Sequence, residues 1–138
     1  MTFDRAIIIS TEAHAVQINR YGKPYIFHPL RVMMKMHNEN ERIVAVLHDV
    51  IEKSDLTMTN LKEEGFSTDV LEAIDCLTRR ESENEQYFDY IKRVLINPLA
   101  KVVKLADLSD NFQAVKSSIN NINAKRIGRY QKALEMLK

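Results

Sequence analysis

Three glycines and three prolines are spread through 138 residues, about a third of the usual share. This scarcity of backbone breakers constrains the fold more than any other feature. A turn-rich sandwich or barrel needs many more positions with positive or fixed φ. The apolar spacing is helical nearly throughout, so the sequence predicts an all-α fold, a compact bundle of seven or eight helices. A first helix is expected over about 3–20, with Phe3, Ile7, Ala13 and Ile18 facing inward, broken by Tyr21-Gly22-Lys23-Pro24. Pro29 suits the first turn of a second helix, where its missing N–H costs nothing, so His28 marks that helix's N-terminal boundary. A third helix, about 39–53, holds the most apolar stretch, Ile43-Val44-Ala45-Val46-Leu47, and should be central. Thr57 or Thr59 can cap a short fourth helix ending at Gly65, and Ser67 or Thr68 a fifth through Leu77. A sixth is expected over 83–96, a seventh from Pro98 to about Val115, and the last over 124–137. No repeat, low-complexity tract or Ser/Gly linker intervenes, so residues 1–138 read as a single domain.

Charge and cysteine usage narrow the function classes. Twenty basic residues against 19 acidic ones leave a net charge of +1, too even for non-specific binding to nucleic acid or an anionic membrane. No apolar run approaches the roughly 18 residues that a membrane span requires. The opening MTFDRAIIISTEAH has one short apolar stretch beside acids and no cleavage-site pattern, which argues against a signal peptide. A lone Cys76 cannot form an internal disulfide, and a reducing cytoplasm is the expected compartment.

Chemistry concentrates in Leu47-His48-Asp49-Val50-Ile51-Glu52. A His-Asp pair alone is a weak signal, but this one directly follows five apolar residues in the best core segment. Buried His and Asp are disfavoured unless paired or metal-bound. On a continuous helix Glu52 lies four residues after His48 and three after Asp49, on one face. An imidazole with carboxylates on one rigid element suits a divalent cation, the extra carboxylate being able to handle a water proton. Downstream, Lys104, Asp107 and Asn111 form a polar stripe at i, i+3 and i+7 among Val102, Val103, Leu105 and Leu108. By itself such a stripe is equally well read as the solvated face of an amphipathic helix.

These segments together resemble the HD-domain metal-dependent phosphohydrolases. More closely, they resemble the ppGpp hydrolase domain of the RelA/SpoT family, which acts on the alarmone of the stringent response, and its short single-domain relatives. The similarity lies in four ordered blocks: Ala13-His14-Ala15-Val16-Gln17-Ile18-Asn19-Arg20, Pro24-Tyr25-Ile26-Phe27-His28-Pro29-Leu30, Leu47 to Glu52, and Val103-Lys104-Leu105-Ala106-Asp107-Leu108. The resemblance implies the all-helical HD-domain fold and one divalent metal, usually Mn²⁺, held by His28, His48, Asp49 and Asp107. It implies that Glu52 helps activate the attacking water, that Asn111 lies near the nucleotide, and that Arg20 contacts the guanine base. Lys104 is implied as a phosphate- or structure-supporting lysine, and Arg20, Lys23 and Lys104 can balance phosphate charge. The substrate implied is ppGpp or a related nucleotide, losing pyrophosphate from its 3′ position.

The chain departs from the family pattern at three places. One residue is missing between Arg20 and the Pro-Tyr-Ile block. Lys53 stands where the family has an aspartate tied to hydrolysis, which leaves open weakened ppGpp cleavage, another substrate such as a nucleotide phosphomonoester, or a catalytically weakened nucleotide-binding module. Leu108, followed by Ser109-Asp110, replaces the usual arginine after the second metal aspartate. Two imidazoles and two carboxylates suit manganese without excluding iron, zinc or cobalt. Other conspicuous residues take plainer roles: His14 packs or braces a ligand, His37 meets a helix dipole, and Cys76, Met33, Met34 and Met36 fill core. Lys125, Arg126, Arg129 and Lys132 read as a solvated face or a contact with a second copy of the chain.

Overall fold

A computed structural model describes residues 2–80, 83–116 and 124–138. The described residues are all-α: α1 (Phe3–Ala13), α2 (Phe27–Met34), α3 (Glu39–Leu47), α4 (Val50–Lys53), α5 (Met58–Glu63), α6 (Thr68–Leu77), α7 (Tyr87–Leu95), α8 (Pro98–Lys116) and α9 (Ala124–Leu137). The only extended pairing among them is an isolated antiparallel bridge between Ile18 and Pro24.

Helix starts follow the side chains able to satisfy orphan N–H groups. Thr2 accepts from Arg5 N, Asn38 from Glu41 N, and Ser67 from Val70 N. Thr57 and Asn60 form a reciprocal capping box on α5. Thr57 and Ser67 are thus the caps, rather than Thr59 and Thr68. At α8, Asn97 Oδ1 accepts from Ala100 N at 2.9 Å.

α3 is the central element, packed against α1, α2, α6 and α8. Val44, Ala45, Val46 and Leu47 have no exposed surface. The core then extends from Ala6 on α1 to Leu137 on α9. Each fully buried Val, Leu or Ile side chain there contributes about 1.5–3 kcal/mol through loss of water contact.

Several expectations need correction. α1 ends at Ala13, not near residue 20, because the chain turns at His14 and Val16 adopts φ 59°, a left-handed conformation costly for a β-branched residue. Ile18 is consequently on the surface, 68% exposed, instead of inward. The third helix does not run from 39 to 53. It stops at Leu47, and α4 restarts at Val50 after a turn at His48 and Asp49. α7 begins at Tyr87, later than residue 83, because Arg93 ties down the preceding loop. Its guanidinium bonds Glu85 at 2.8 and 2.9 Å and the Thr78 carbonyl at 2.9 Å. Met33 and Met36 are core, but Met34 is 77% exposed.

Candidate metal centre and active site

Three elements deliver four polar side chains to one buried point. α2 carries His28 in its first turn, where Pro29 is tolerated as the third residue. The turn between α3 and α4 carries His48 and Asp49, and α8 carries Asp107. His28 Nε2 lies 2.7 Å from Asp107 Oδ1, and His48 Nε2 lies 3.1 Å from the same oxygen. Asp49 Oδ2 is 3.2 Å from His48 Nε2 and 3.8 Å from His28 Nε2. One ligand-capable atom from each residue falls within 4.8 Å of all the others.

The far sides of both imidazoles are engaged. His48 Nδ1 meets the Ala45 carbonyl at 2.5 Å, and His28 Nδ1 meets Asp110 Oδ2 at 2.6 Å. A carbonyl only accepts, and so does an ionised carboxylate, so each Nδ1 must carry the proton. Each Nε2 is left either as a second donor or as a bare lone pair aimed at the cluster centre. Nε2 lone pairs facing carboxylate oxygens repel unless a proton or a cation lies between them. The donor set therefore fits a divalent metal ion, bound by both Nε2 atoms and one oxygen from each aspartate.

Electrostatics point the same way. Burial opposes a charged imidazole at both histidines, but the facing carboxylates outweigh it and raise both pKa values, His48 strongly. Burial also opposes ionisation of Asp49 and Asp107. His48 overcomes it at Asp49, and Lys104 with the histidines overcomes it at Asp107, so both stay ionised below the usual range. Lys104 Nζ donates to Asp107 Oδ2 at 2.7 Å and sits 5.1 Å above the Tyr90 ring. The Tyr25 hydroxyl donates to Asp49 Oδ2. Burial first, then the Asp49 charge, raises the pKa of that hydroxyl.

His28, Asp49 and Asp107 of the cluster line a cleft of about 360 Å³, together with Arg20, Tyr25, Glu52, Lys53, Asn111, Arg126 and Arg129. The structure thus brings together His28, His48, Asp49, Asp107, Glu52, Asn111, Arg20 and Lys104. Lys104 faces Asp107 from a buried position, which gives it structural support of a carboxylate as its visible contact. Lys23 is exposed and is not among the cleft-lining residues. Glu52 reaches the cleft from α4, a separate helical turn, and not along one continuous helix face. Its Oε1 accepts the Arg79 backbone N–H, which orients the carboxylate.

Several contributors carry no motif in the sequence. Asp110 and Arg31 stand behind His28, with Arg31 Nε and Nη2 bonding the Asp110 oxygens at 2.8 and 3.0 Å. Arg126 and Arg129, expected on a solvated face, line the cleft. Arg126 Nη1 and Arg129 Nε are buried and have no hydrogen-bond partner among the described residues. Arg129 lies 4.6 Å over the Tyr87 ring. The only clue was their i, i+3 spacing in a basic run, which says nothing about which way α9 folds back. Lys132 sits 4.3 Å over the Phe88 ring, and the Lys125 side chain lies outside the described residues. His14 is buried beside the site, with Nδ1 2.9 Å from Gln17 Oε1 and its ring 5.1 Å from Tyr25. Cys76 is half-buried against the core.

The bundle and its buried pair of histidines and pair of aspartates place the chain in the class of HD-type domains. More particularly, its homologues are ppGpp 3′-pyrophosphohydrolases of the RelA/SpoT type. It is 32% identical over 123 residues to the guanosine-3′,5′-bis(diphosphate) 3′-pyrophosphohydrolase of Haemophilus influenzae, covering 80% of this chain and 18% of that protein. The protein of the same description from Aquifex aeolicus is 32% identical over 121 residues, covering 80% of this chain and 17% of its own length. The bifunctional (p)ppGpp synthase/hydrolase SpoT of Escherichia coli K12 is 27% identical over 138 residues, covering 91% and 19%. The chain therefore spans less than a fifth of the length of these curated relatives. A solved structure described as a metazoan ortholog of SpoT that hydrolyzes ppGpp superimposes with a TM-score of 0.79 at 21% identity, over 98% of this chain and 82% of that one. No family model matches the chain. No helix among the described residues is long and apolar enough to cross a membrane.

Proposed function

We propose that this chain is a metal-dependent phosphohydrolase that removes pyrophosphate from the 3′ position of ppGpp or a related nucleotide, leaving the 5′-diphosphate. The observation that carries the reading is the convergence of His28, His48, Asp49 and Asp107, with both Nδ1 atoms committed elsewhere. A divalent cation held there, which we take to be one Mn²⁺, supplies Lewis acidity toward a phosphoryl oxygen and acidifies water. Glu52, anchored by Arg79 N–H, takes the proton of the attacking water. Arg126 and Arg129 present buried N–H donors to the phosphates, while Arg20 and Asn111 border the nucleotide. Lys104 keeps Asp107 oriented. Such an enzyme acts in the cytoplasm, on the stringent-response alarmone.

A second reading rests on Lys53, whose ammonium lies 5.0 Å over the Tyr25 ring at the cleft. A cation where the family has an aspartate suits a nucleotide phosphomonoester. The test is incubation with Mn²⁺ and either ppGpp or a panel of nucleotide monophosphates. Pyrophosphate from ppGpp, abolished by EDTA, is the expected result. Phosphate from monoesters without pyrophosphate from ppGpp would replace the first reading by the second.

A further inference from the structure

α8 presents two carboxylates, one turn apart, to opposite nitrogens of a single imidazole. Asp107 Oδ1 lies 2.7 Å from His28 Nε2, and Asp110 Oδ2 lies 2.6 Å from His28 Nδ1. Asp110 is itself gripped by the two-pronged contact from Arg31, one turn along α2 from His28. The two acidic groups have separate jobs. Asp107 belongs to the cluster, whereas Asp110 meets the opposite ring nitrogen of His28 and is outside the four-residue group. Arg31 is half exposed at the cleft edge, and Asp110 is buried. At the other histidine, His48, the Nδ1 partner among the described residues is the Ala45 carbonyl.

We propose that Asp110, braced by Arg31, is a positioning residue that fixes the His28 ring and keeps its Nε2 lone pair available to a divalent cation. The inference rests on the metal reading above. An ionised carboxylate behind an imidazole holds the ring rotation, forces the proton onto Nδ1 and makes Nε2 a better donor to a cation. Arg31 is needed because a buried carboxylate without a countercharge is costly, and its fork fixes both Asp110 oxygens in one plane. The pair joins α2 to α8 directly behind the cluster, so it also sets the spacing between His28 and Asp107.

The test is a Mn²⁺ titration followed by electron paramagnetic resonance of the free ion. The proteins are wild type, Asp110→Asn, Arg31→Gln, Arg31→Lys and the double variant, each checked for helical circular dichroism and thermal midpoint. Asp110→Asn preserves shape but removes the charge, and its Mn²⁺ affinity should fall about 10- to 100-fold. Arg31→Gln, at the solvent-exposed edge, should lower affinity less and add nothing in the Asp110→Asn background, since it acts through Asp110. Arg31→Lys should recover part of the loss. If Asp110→Asn lowers only the thermal midpoint and binds Mn²⁺ like wild type, the pair is a structural link between helices and the inference is overturned. Additive losses would refute the coupling through Asp110. Absence of Mn²⁺ binding by wild type would remove the metal reading itself, and this inference with it.

Discussion

Within seven residues the chain passes from an apolar interior to a polar one. Ile43 to Leu47 are buried among aliphatic neighbours from α1, α2, α6 and α8. His48 and Asp49 follow immediately and are also largely enclosed, yet their partners are Ala45 O, His28, Asp107 and Tyr25. Apolar burial is non-directional, so each residue of the first group gains from whatever surrounds it. The second group is tolerable only with partners supplied at fixed distances from other elements. Buried ionic groups are poor sources of stability compared with well-packed apolar ones. Seven adjacent residues thus divide into five that gain from any apolar surroundings and two that depend on polar partners from other elements.

The sharpest way to break this division is to truncate one residue on each side of it. His48→Ala should lower phosphohydrolase turnover by more than about 100-fold, beyond the usual loss for an outer partner of a metal ligand, while leaving helical circular dichroism nearly intact. Full activity in that variant would remove His48 from the chemistry. Leu47→Ala should cost about 2–5 kcal/mol in urea unfolding, with activity per folded molecule unchanged. A cost below about 1 kcal/mol would show that the core is not anchored there.

The cleft wall offers a smaller contrast. Arg126→Gln or Arg129→Gln should raise KM for ppGpp about tenfold, the loss of one charge-assisted hydrogen bond, and change kcat less. An unchanged KM would return these arginines to a surface role. Lys53→Asp should raise ppGpp hydrolysis several-fold. No rise would mean that the lysine is a tolerated variation.

The smallest effect belongs to the loop before α7. Arg93 holds the Glu85 carboxyl down to about 2 from its ordinary 4.5. A depressed folded-state pKa gives stability that is present above the unfolded value and lost as pH falls toward the folded one. The stability gap between wild type and Glu85→Gln should therefore stay constant above about pH 4.5 and close between there and about pH 2. A gap that widens on acidification would contradict the assignment.

Much of the fold was legible because its signals are local. Pro98, Ser67 and Thr57 mark helix starts through their own chemistry, and the run from Ile43 to Leu47 identifies the central helix. The break at His48–Asp49 was hidden because no glycine or proline marks it and apolar residues continue at Val50 and Ile51. The end of α1 was hidden for the same reason, since Val16 enters the left-handed region without a glycine. In the site, the residues inside recognisable blocks could be singled out. Asp110, Arg31, Arg126 and Arg129 could not, because their meaning depends on which faces α2, α8 and α9 turn toward one another. Lys23 shows the converse: proximity in sequence to Arg20 did not bring it to the cleft.

The central claim is that His28, His48, Asp49 and Asp107 hold one divalent cation. It is tested most directly by equilibrating crystals with Mn²⁺ and measuring anomalous scattering at the manganese edge. The account predicts a single strong peak bounded by those four side chains, lost on washing with EDTA. A peak elsewhere, or none in crystals whose four side chains are ordered as described, would contradict it.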